Sequence, residues 1–239
     1  MTPDEIWLGT IIKKNGIPIT DIQLSLLGRY VNLLREWNKR INLISRRDEE
    51  NIWVNHILLS LAFLIQVDFP SGFRVLDLGT GGGLPGIPLG IMLPEVNFVL
   101  LDSINKKVRA VQEMVNALGL SNVSTICSRA EEAGVAPAYK NLFDAVIARS
   151  VSGLENLAAW GFPFLKPATS STVFPFQSGK RTRLIAPAII TLKGGELEKE
   201  LGATKMRFPK ARVGSTDLAF YGSEILQNQA KKFVIVENG

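Results

Sequence analysis

The stretch that most constrains this chain is Val75-Leu76-Asp77-Leu78-Gly79-Thr80-Gly81-Gly82-Gly83-Leu84-Pro85-Gly86. A short apolar strand runs into glycines, and Pro85 has the fixed φ suited to the first turn of a helix. Glycines there permit positive φ and let a ligand approach the backbone closely. In an open α/β sheet, ligands bind at the carboxyl ends of the strands, where this turn lies.

The rest of the chain supplies the sheet. From Gly72 onward, Phe73–Leu78, Asn97–Leu101, Val123–Cys127, Phe143–Ala148 and Thr172–Phe176 read as strands. Helical segments alternate with them: one opening near Pro85, one from Ile104 to Leu118 stopped by Gly119, and one over Ser152–Leu165. That alternation predicts a parallel sheet with helices on both faces. Beyond it, the pattern suggests a helix near Arg183–Leu192 and strands at Ala203–Phe208 and Phe233–Val236. The first 70 residues read as helical. Thr20 and Gln23 have capping-box spacing, and Leu26, Leu27, Tyr30, Val31, Leu34, Trp37 and Ile41 form one apolar stripe. A second helical segment runs from Asp48 to Ile65, with Asp48, Glu49 and Glu50 in its first turn. Trp37 and Trp53 read as core residues.

Two cofactors compete for the glycine turn. Gly81-x-Gly83-x-x-Gly86 matches the dinucleotide fingerprint literally. Yet the strand's first glycine is Gly79, and Asp77 puts a carboxylate near where a pyrophosphate would sit, which is unfavourable. S-adenosylmethionine has a sulfonium and an amino group and no phosphate, so Asp77-x-Gly79-x-Gly81-x-Gly83 suits it. Asp102, at the end of the next strand, is placed to accept from ribose hydroxyls of either ligand. Asp144 and Arg149 flank the fourth strand, and both are expected in the ligand cleft.

Charge and composition narrow the class. The net charge of +5 comes entirely from residues 71–239, and Lys180 to Arg212 hold nine basic against three acidic side chains. Such asymmetry fits a polyanionic partner. The longest apolar stretch, Ile57 to Ile65, is shorter than the roughly 20 residues of a membrane span. No secretory leader is visible, and Cys127 is the single cysteine, so no intramolecular disulfide forms. The expectation is a cytoplasmic protein.

The chain also resembles the bacterial small-subunit ribosomal RNA guanine N7-methyltransferases, long known as glucose-inhibited division protein B. The likeness runs through Trp37-Asn38-Lys39-Arg40-Ile41-Asn42-Leu43, His56-Ile57, Asp77 to Pro88, Leu101-Asp102-Ser103 with Lys106-Lys107, Arg129-Ala130-Glu131 and Phe143-Asp144 to Arg149. The resemblance implies a Rossmann-like class I methyltransferase: an open, mostly parallel seven-stranded sheet with helices on both faces. Residues 1–70 would be a helical N-terminal extension, and 71–239 an S-adenosylmethionine-binding domain. It implies methyl transfer to N7 of a guanosine in 16S ribosomal RNA, free or in the small ribosomal subunit, by a monomer that touches no membrane.

By position, Gly79, Gly81 and Leu84 would line the cofactor pocket with Asp77, Asp102 would hold the ribose, and Ala130 and Glu131 would border the adenine. Arg149 would face the cofactor or the incoming base. Arg46, Arg47, Arg129, Lys180, Arg181 and Arg183 are the candidate RNA contacts. Guanine N7 carries an in-plane lone pair, so attack needs no deprotonation; neither a covalent intermediate nor a metal is expected, and no catalytic side chain is assigned. His56 reads as structural and Cys127 as a core residue.

The chain departs from the family at several points. Leu59 follows His56-Ile57-Leu58 where the family has Asp, Ile44 follows Asn42-Leu43 where it has Thr, and Ser150 follows Arg149 where it has Ala. The family's Ala-Leu-Lys-Gly strand is assigned to Thr172–Phe176, with Gln177 and Lys180 in place of its lysine. Leu192-Lys193-Gly194, which spells part of that motif, is expected too late in the chain. The competing readings are a small-molecule methyltransferase, a nicotinamide-dependent dehydrogenase, and an RNA-binding module without turnover.

Overall fold

The computed structural model describes residues 1–168, 181–185, 187–195, 197–229 and 231–238. Helices α1 (Pro3–Lys14) and α2 (Asp21–Asn38) each start with a capping box. In the second, the Thr20 Oγ1 accepts from the Gln23 amide at 3.2 Å while Gln23 Oε1 accepts from the Thr20 amide at 2.9 Å. Glycines let the two helices close on each other. A Cβ at Gly28 would lie 2.1 Å from Glu5 Oε1, so a larger residue there would push the Glu5 carboxylate from its place between α1 and α2.

The segment expected as one helix from Asp48 is broken in two. Arg46–Asp48 form a 3₁₀ turn, and Trp53–Leu58 form a π-helical turn leading into α3 (Leu59–Gln66). Asp48 to Glu50 therefore precede the helix rather than cap its first turn. Strand β1 (Val67–Asp68) follows, then β2 (Arg74–Leu78), α4 (Gly86–Met92), β3 (Asn97–Asp102), α5 (Asn105–Leu118), β4 (Val123–Cys127), α6 (Ala130–Val135), β5 (Ala145–Arg149) and α7 (Leu154–Gly161). The chain continues through β6 (Thr182–Arg183), β7 (Ala188–Lys193), α8 (Leu197–Arg207), β8 (Arg212–Asp217) and β9 (Lys232–Glu237).

Seven strands form one sheet in the order β4-β3-β2-β5-β7-β9-β8, and β9 alone runs antiparallel to its two neighbours. The five inner strands are buried on both faces, as expected of a mainly parallel sheet, while the edge strands β4 and β8 are partly exposed. Alternate residues serve opposite cores: Val75, Ala145, Ile147 and Ile190 face a layer built from α1 to α5, whereas Leu76, Val146 and Ile189 face the layer with α6 and α7. Strand order reverses between β2 and β5, which opens a crevice at their carboxyl ends.

Three expectations change here. Arg183–Leu192 is not a helix: β6 ends at Arg183, and Ala188–Lys193 pairs in parallel with β5. Pro187 and the β-branched run Ile189-Ile190-Thr191 favour that strand. Ala203–Phe208 is not a strand, because Leu197–Arg207 is α8, with Glu198 and Glu200 in its first turn and Lys205 and Arg207 in its last. The motif Leu192-Lys193-Gly194 ends the strand beside β5, so it does not fall too late. Thr172–Phe176, Gln177 and Lys180 lie outside the described residues.

Candidate active site

The turn after β2 is shaped from beneath by Asp77, which is fully buried. Its Oδ2 accepts from Thr80 Oγ1 at 2.7 Å and from the Gly86 amide at 2.8 Å. A Cβ on Gly86 would sit 2.0 Å from Leu100 Cδ2 and 2.8 Å from Asp77 Oδ2, so the carboxylate reaches that amide only because residue 86 is glycine. Gly79, Gly81 and Gly83 have φ of 74°, 58° and 93°. Burial pushes the Asp77 carboxyl up to about 6, against the hydrogen bonds from Thr80 and Gly86 and the attraction of Arg149.

The loop is held from above by the N-terminal helices. Tyr30, fully buried on α2, donates its hydroxyl to the Gly82 carbonyl at 2.9 Å. Asn38 Oδ1 accepts from the amides of Leu43 and Ile44 at 2.9 and 3.0 Å, which fixes the chain that passes over Gly81 and Gly82.

Two cavities meet at this loop. The first, of about 340 Å³, is lined by the backbone of Gly79 to Gly82 with Leu84, Leu43, Ile44, Asp48, Asn55, His56, Arg149 and Lys231. The second, of about 270 Å³, is a more apolar slot among Leu78, Leu101, Ile104, Ala130, Val151 and Trp160, bordered by Arg129 and Glu131. Gly79, Asp102, Lys107 and Ser150 line both. Asp102 sits at their junction, its Oδ2 accepting from the Gly81 amide at 3.0 Å and its Oδ1 from the Ile104 amide at 2.9 Å. Each oxygen keeps a second lone pair for a ligand hydroxyl.

Arg149 ends β5 and faces the first cavity. Its Nη1 donates to the Asn55 carbonyl and its Nη2 to His56 Nδ1, both at 2.8 Å. Arginine has only donors, so His56 accepts at Nδ1 and carries its proton on Nε2, which lies 3.9 Å from Asp48 Oδ2. Burial, then the Arg149 charge, hold the imidazole down to about 4. The π-helical turn over Trp53–Leu58 is what presents Asn55 and His56 together to Arg149. Lys231 reaches the same cavity from the start of β9. That strand is antiparallel, so its first residues lie at the carboxyl end of β7, with Lys232 opposite Lys193. Burial lowers the Lys231 ammonium, and the Arg149 charge adds to that effect.

Residues 23–178 match the GidB family, described as rRNA small subunit methyltransferase G. The chain belongs to this family.

The likeness extends over nearly whole chains. The Chlorobaculum tepidum protein named ribosomal RNA small subunit methyltransferase G is 42% identical over 219 residues, 90% of this chain and 94% of its own. Its namesake from Bacteroides thetaiotaomicron is 42% identical over 190 residues, 80% of this chain and 84% of its own. Among solved structures, the O-methyltransferase TomG from Streptomyces achromogenes, in complex with SAM, superposes with a TM-score of 0.53 at 13% identity, over 99% of this chain and 98% of its own. A putative O-methyltransferase from Klebsiella pneumoniae gives 0.53 at 12% identity over 98% of this chain and 96% of its own. Both show the class I methyltransferase fold.

In this member of the rRNA small subunit methyltransferase G family, several expected site residues fall together. Gly79, Gly81, Leu84, Asp102 and Arg149 line the first cavity, and Ala130 and Glu131 line the second. Asp77 lines neither cavity; it lies under the loop and acts by shaping it. Arg129 borders the slot beside Ala130 and Glu131. Arg46 and Arg47 are exposed and directly precede Asp48, which lines the first cavity.

The expectations for Asp144 and Cys127 fail. Asp144 precedes β5, at the opposite end of the sheet from Arg149. There its Oδ2 accepts from the Arg74 amide at 2.8 Å and its Oδ1 pairs with Lys166 at 2.6 Å. Arg181 and Arg183 also lie on the strand-start side. Arg181 pairs with Asp68 at 3.1 Å, and the Leu184 amide bonds Asp68 O in the chain leading to β7. Cys127 is exposed at the end of β4 rather than in the core. Tyr30, Asn55, Lys107, Lys231 and Ser150 were not foreseen as site residues. Ser150, directly after Arg149, and Lys107, five residues after Asp102, carried a local signal.

Proposed function

We propose that this chain transfers a methyl group from S-adenosylmethionine to N7 of a guanosine in 16S ribosomal RNA. The carrying observation is the meeting, at one sheet-switch crevice, of the glycine loop, the Asp102 carboxylate and the Arg149 guanidinium, in a chain of the rRNA small subunit methyltransferase G family. The residues present fit the cofactor. An apolar slot ending in a carboxylate suits an adenosine, and a glycine-lined cavity with Arg149 at its wall suits the amino-acid end.

When bound, S-adenosylmethionine supplies an electrophilic methyl on a sulfonium. In the proposed site Asp102 accepts from the ribose hydroxyls, and Ala130 and Glu131 border the adenine. Gly79, Gly81 and Leu84 offer backbone and an apolar wall. Arg149, fixed by Asn55 and His56, gives the first cavity positive charge together with Lys107 and Lys231. The chain needs no general base at guanine N7, whose lone pair lies in the ring plane. His56 is suited to none, since its Nδ1 lone pair is already held by Arg149. Catalysis then rests on holding the two reactants in line.

The reading includes Arg46 and Arg47 as RNA-phosphate contacts, a monomer, and the cytoplasm as its place of action. Among the described residues no helix is long and apolar enough to cross a membrane. It also takes residues 1–70 as a helical extension that steadies the loop of the 71–239 catalytic domain, supported by the Tyr30 and Asn38 hydrogen bonds. Calorimetric titration tests the cofactor. We expect the protein to bind S-adenosylmethionine and not NAD, and Asp102→Ala to weaken binding by about 10- to 100-fold, the loss of one hydrogen bond to a charged group. Binding of NAD alone would overturn the assignment.

A further inference from the structure

Lys193 and Glu200 form a second polar cluster on the far side of the crevice, which the reaction as described does not use. Lys193 ends β7, and its side chain is only 10% exposed. Its Nζ donates to the Ser152 carbonyl and lies 3.0 Å from Glu200 Oε2 on α8. The same carboxylate oxygen accepts from the Leu154 amide at 2.6 Å, at the first turn of α7. Both groups thus converge on one short loop, residues 150–154.

That loop forms the wall shared by the two cavities. Ser150 lines both, and it holds φ of 58°, a conformation costly for a residue with a side chain. Val151 lines the apolar slot and packs over Gly79, where an added Cβ would come within 2.7 Å of its Cγ2. Backbone in so unfavourable a region persists only where its surroundings over-determine it. The anchors found next to it are Lys193 on a carbonyl and Glu200 on an amide.

We propose that Lys193 and Glu200 are positioning residues: an ion pair that braces the loop after β5 so that Ser150 and Val151 keep the cofactor slot closed against Gly79. The lysine acts through the loop and touches neither reactant. This inference rests on the function proposed above, and its test separates the two.

Lys193→Met keeps the length and apolar stem while removing the charge and the hydrogen bond to Ser152. Glu200→Gln keeps an acceptor for the Leu154 amide and removes only the ion pair. We expect Lys193→Met to weaken S-adenosylmethionine binding about tenfold, with faster amide exchange confined to residues 150–154. Glu200→Gln should give a smaller effect of the same kind, and Lys193→Arg should recover most of the affinity. Wild-type affinity and loop protection in both charge-removing variants would overturn the proposal. So would a loss of affinity matched by uniform exchange across the sheet, which marks general destabilisation. If the wild-type protein binds no S-adenosylmethionine, the functional reading fails; loop exchange in the variants still reads the brace.

Discussion

Asp77 and His56 both feel the charge of Arg149, and burial moves both in the direction of the neutral form. His56 is held near 4 from an ordinary 6.5, and Asp77 is raised to about 6 from 3.8. Their effects on stability have opposite signs. Between about pH 6.5 and pH 4 the unfolded chain takes up a proton on His56 that the native chain refuses, so acid removes stability. Between about pH 6 and pH 3.8 the native chain keeps a proton on Asp77 that the unfolded chain lacks, so acid adds stability. Asp77→Asn removes only the second effect while leaving an acceptor for Thr80 and Gly86. Urea midpoints of that variant should therefore fall more steeply than those of the parent as pH drops from 6.5 to 4. Parallel pH profiles would show that the buried carboxyl is not titrating in this range.

The element on which the site depends is the turn from β2 into α4, and its tolerances are those of close packing. Gly86→Ala introduces a methyl that overlaps Leu100 and crowds Asp77 Oδ2. Overpacking of this kind costs about 1–3 kcal/mol, seen as a lower urea midpoint, and S-adenosylmethionine binding should weaken with it. An unchanged midpoint would mean the loop relaxes more freely than its hydrogen bonds suggest. Much of this element was legible beforehand. The glycines, Asp77 and Pro85 are neighbours in sequence, and the strand–turn–helix alternation is a local pattern. Asp102 was legible for the same reason, since it ends a strand paired directly with β2.

What stayed hidden depends on contacts between distant segments. Asp144 and Arg149 are both strand-end residues, but a strand has two ends, and only Arg149 is at the one facing the crevice. Lys231 enters the site because β9 runs antiparallel, a fact of topology that no local spacing records. Tyr30 fits an apolar stripe, and nothing around it reveals that its hydroxyl meets the Gly82 carbonyl. The Lys193 motif was displaced by a plausible strand at Thr172–Phe176, which lies outside the described residues. The apolar run at Ile189–Leu192 is too short for its period to separate strand from helix.

Across the whole molecule, positive charge is spread over both ends of the sheet. The +5 excess does not mark one uniform face: Arg181 is paired with Asp68 near the strand starts, while Arg46 and Arg47 stand exposed beside the first cavity. RNA binding should weaken linearly on a logarithmic salt scale, and replacing both Arg46 and Arg47 with Ala should lower the slope's magnitude by about 1.4 for two lost phosphate contacts on a single strand. Replacing Arg181 and Arg183 should leave the slope nearly unchanged. The reverse result would move the RNA to the other end of the sheet.

The most direct measurement is transfer of labelled methyl from S-adenosylmethionine to small-subunit ribosomal RNA, as naked RNA and as assembled subunits, taken from a source lacking N7-methylguanosine. The label is then mapped by N7-specific strand cleavage. Label is expected at one guanosine, lost in Asp102→Ala. Cofactor binding without label on either form of the RNA, or label on an atom other than N7, would contradict the proposed function.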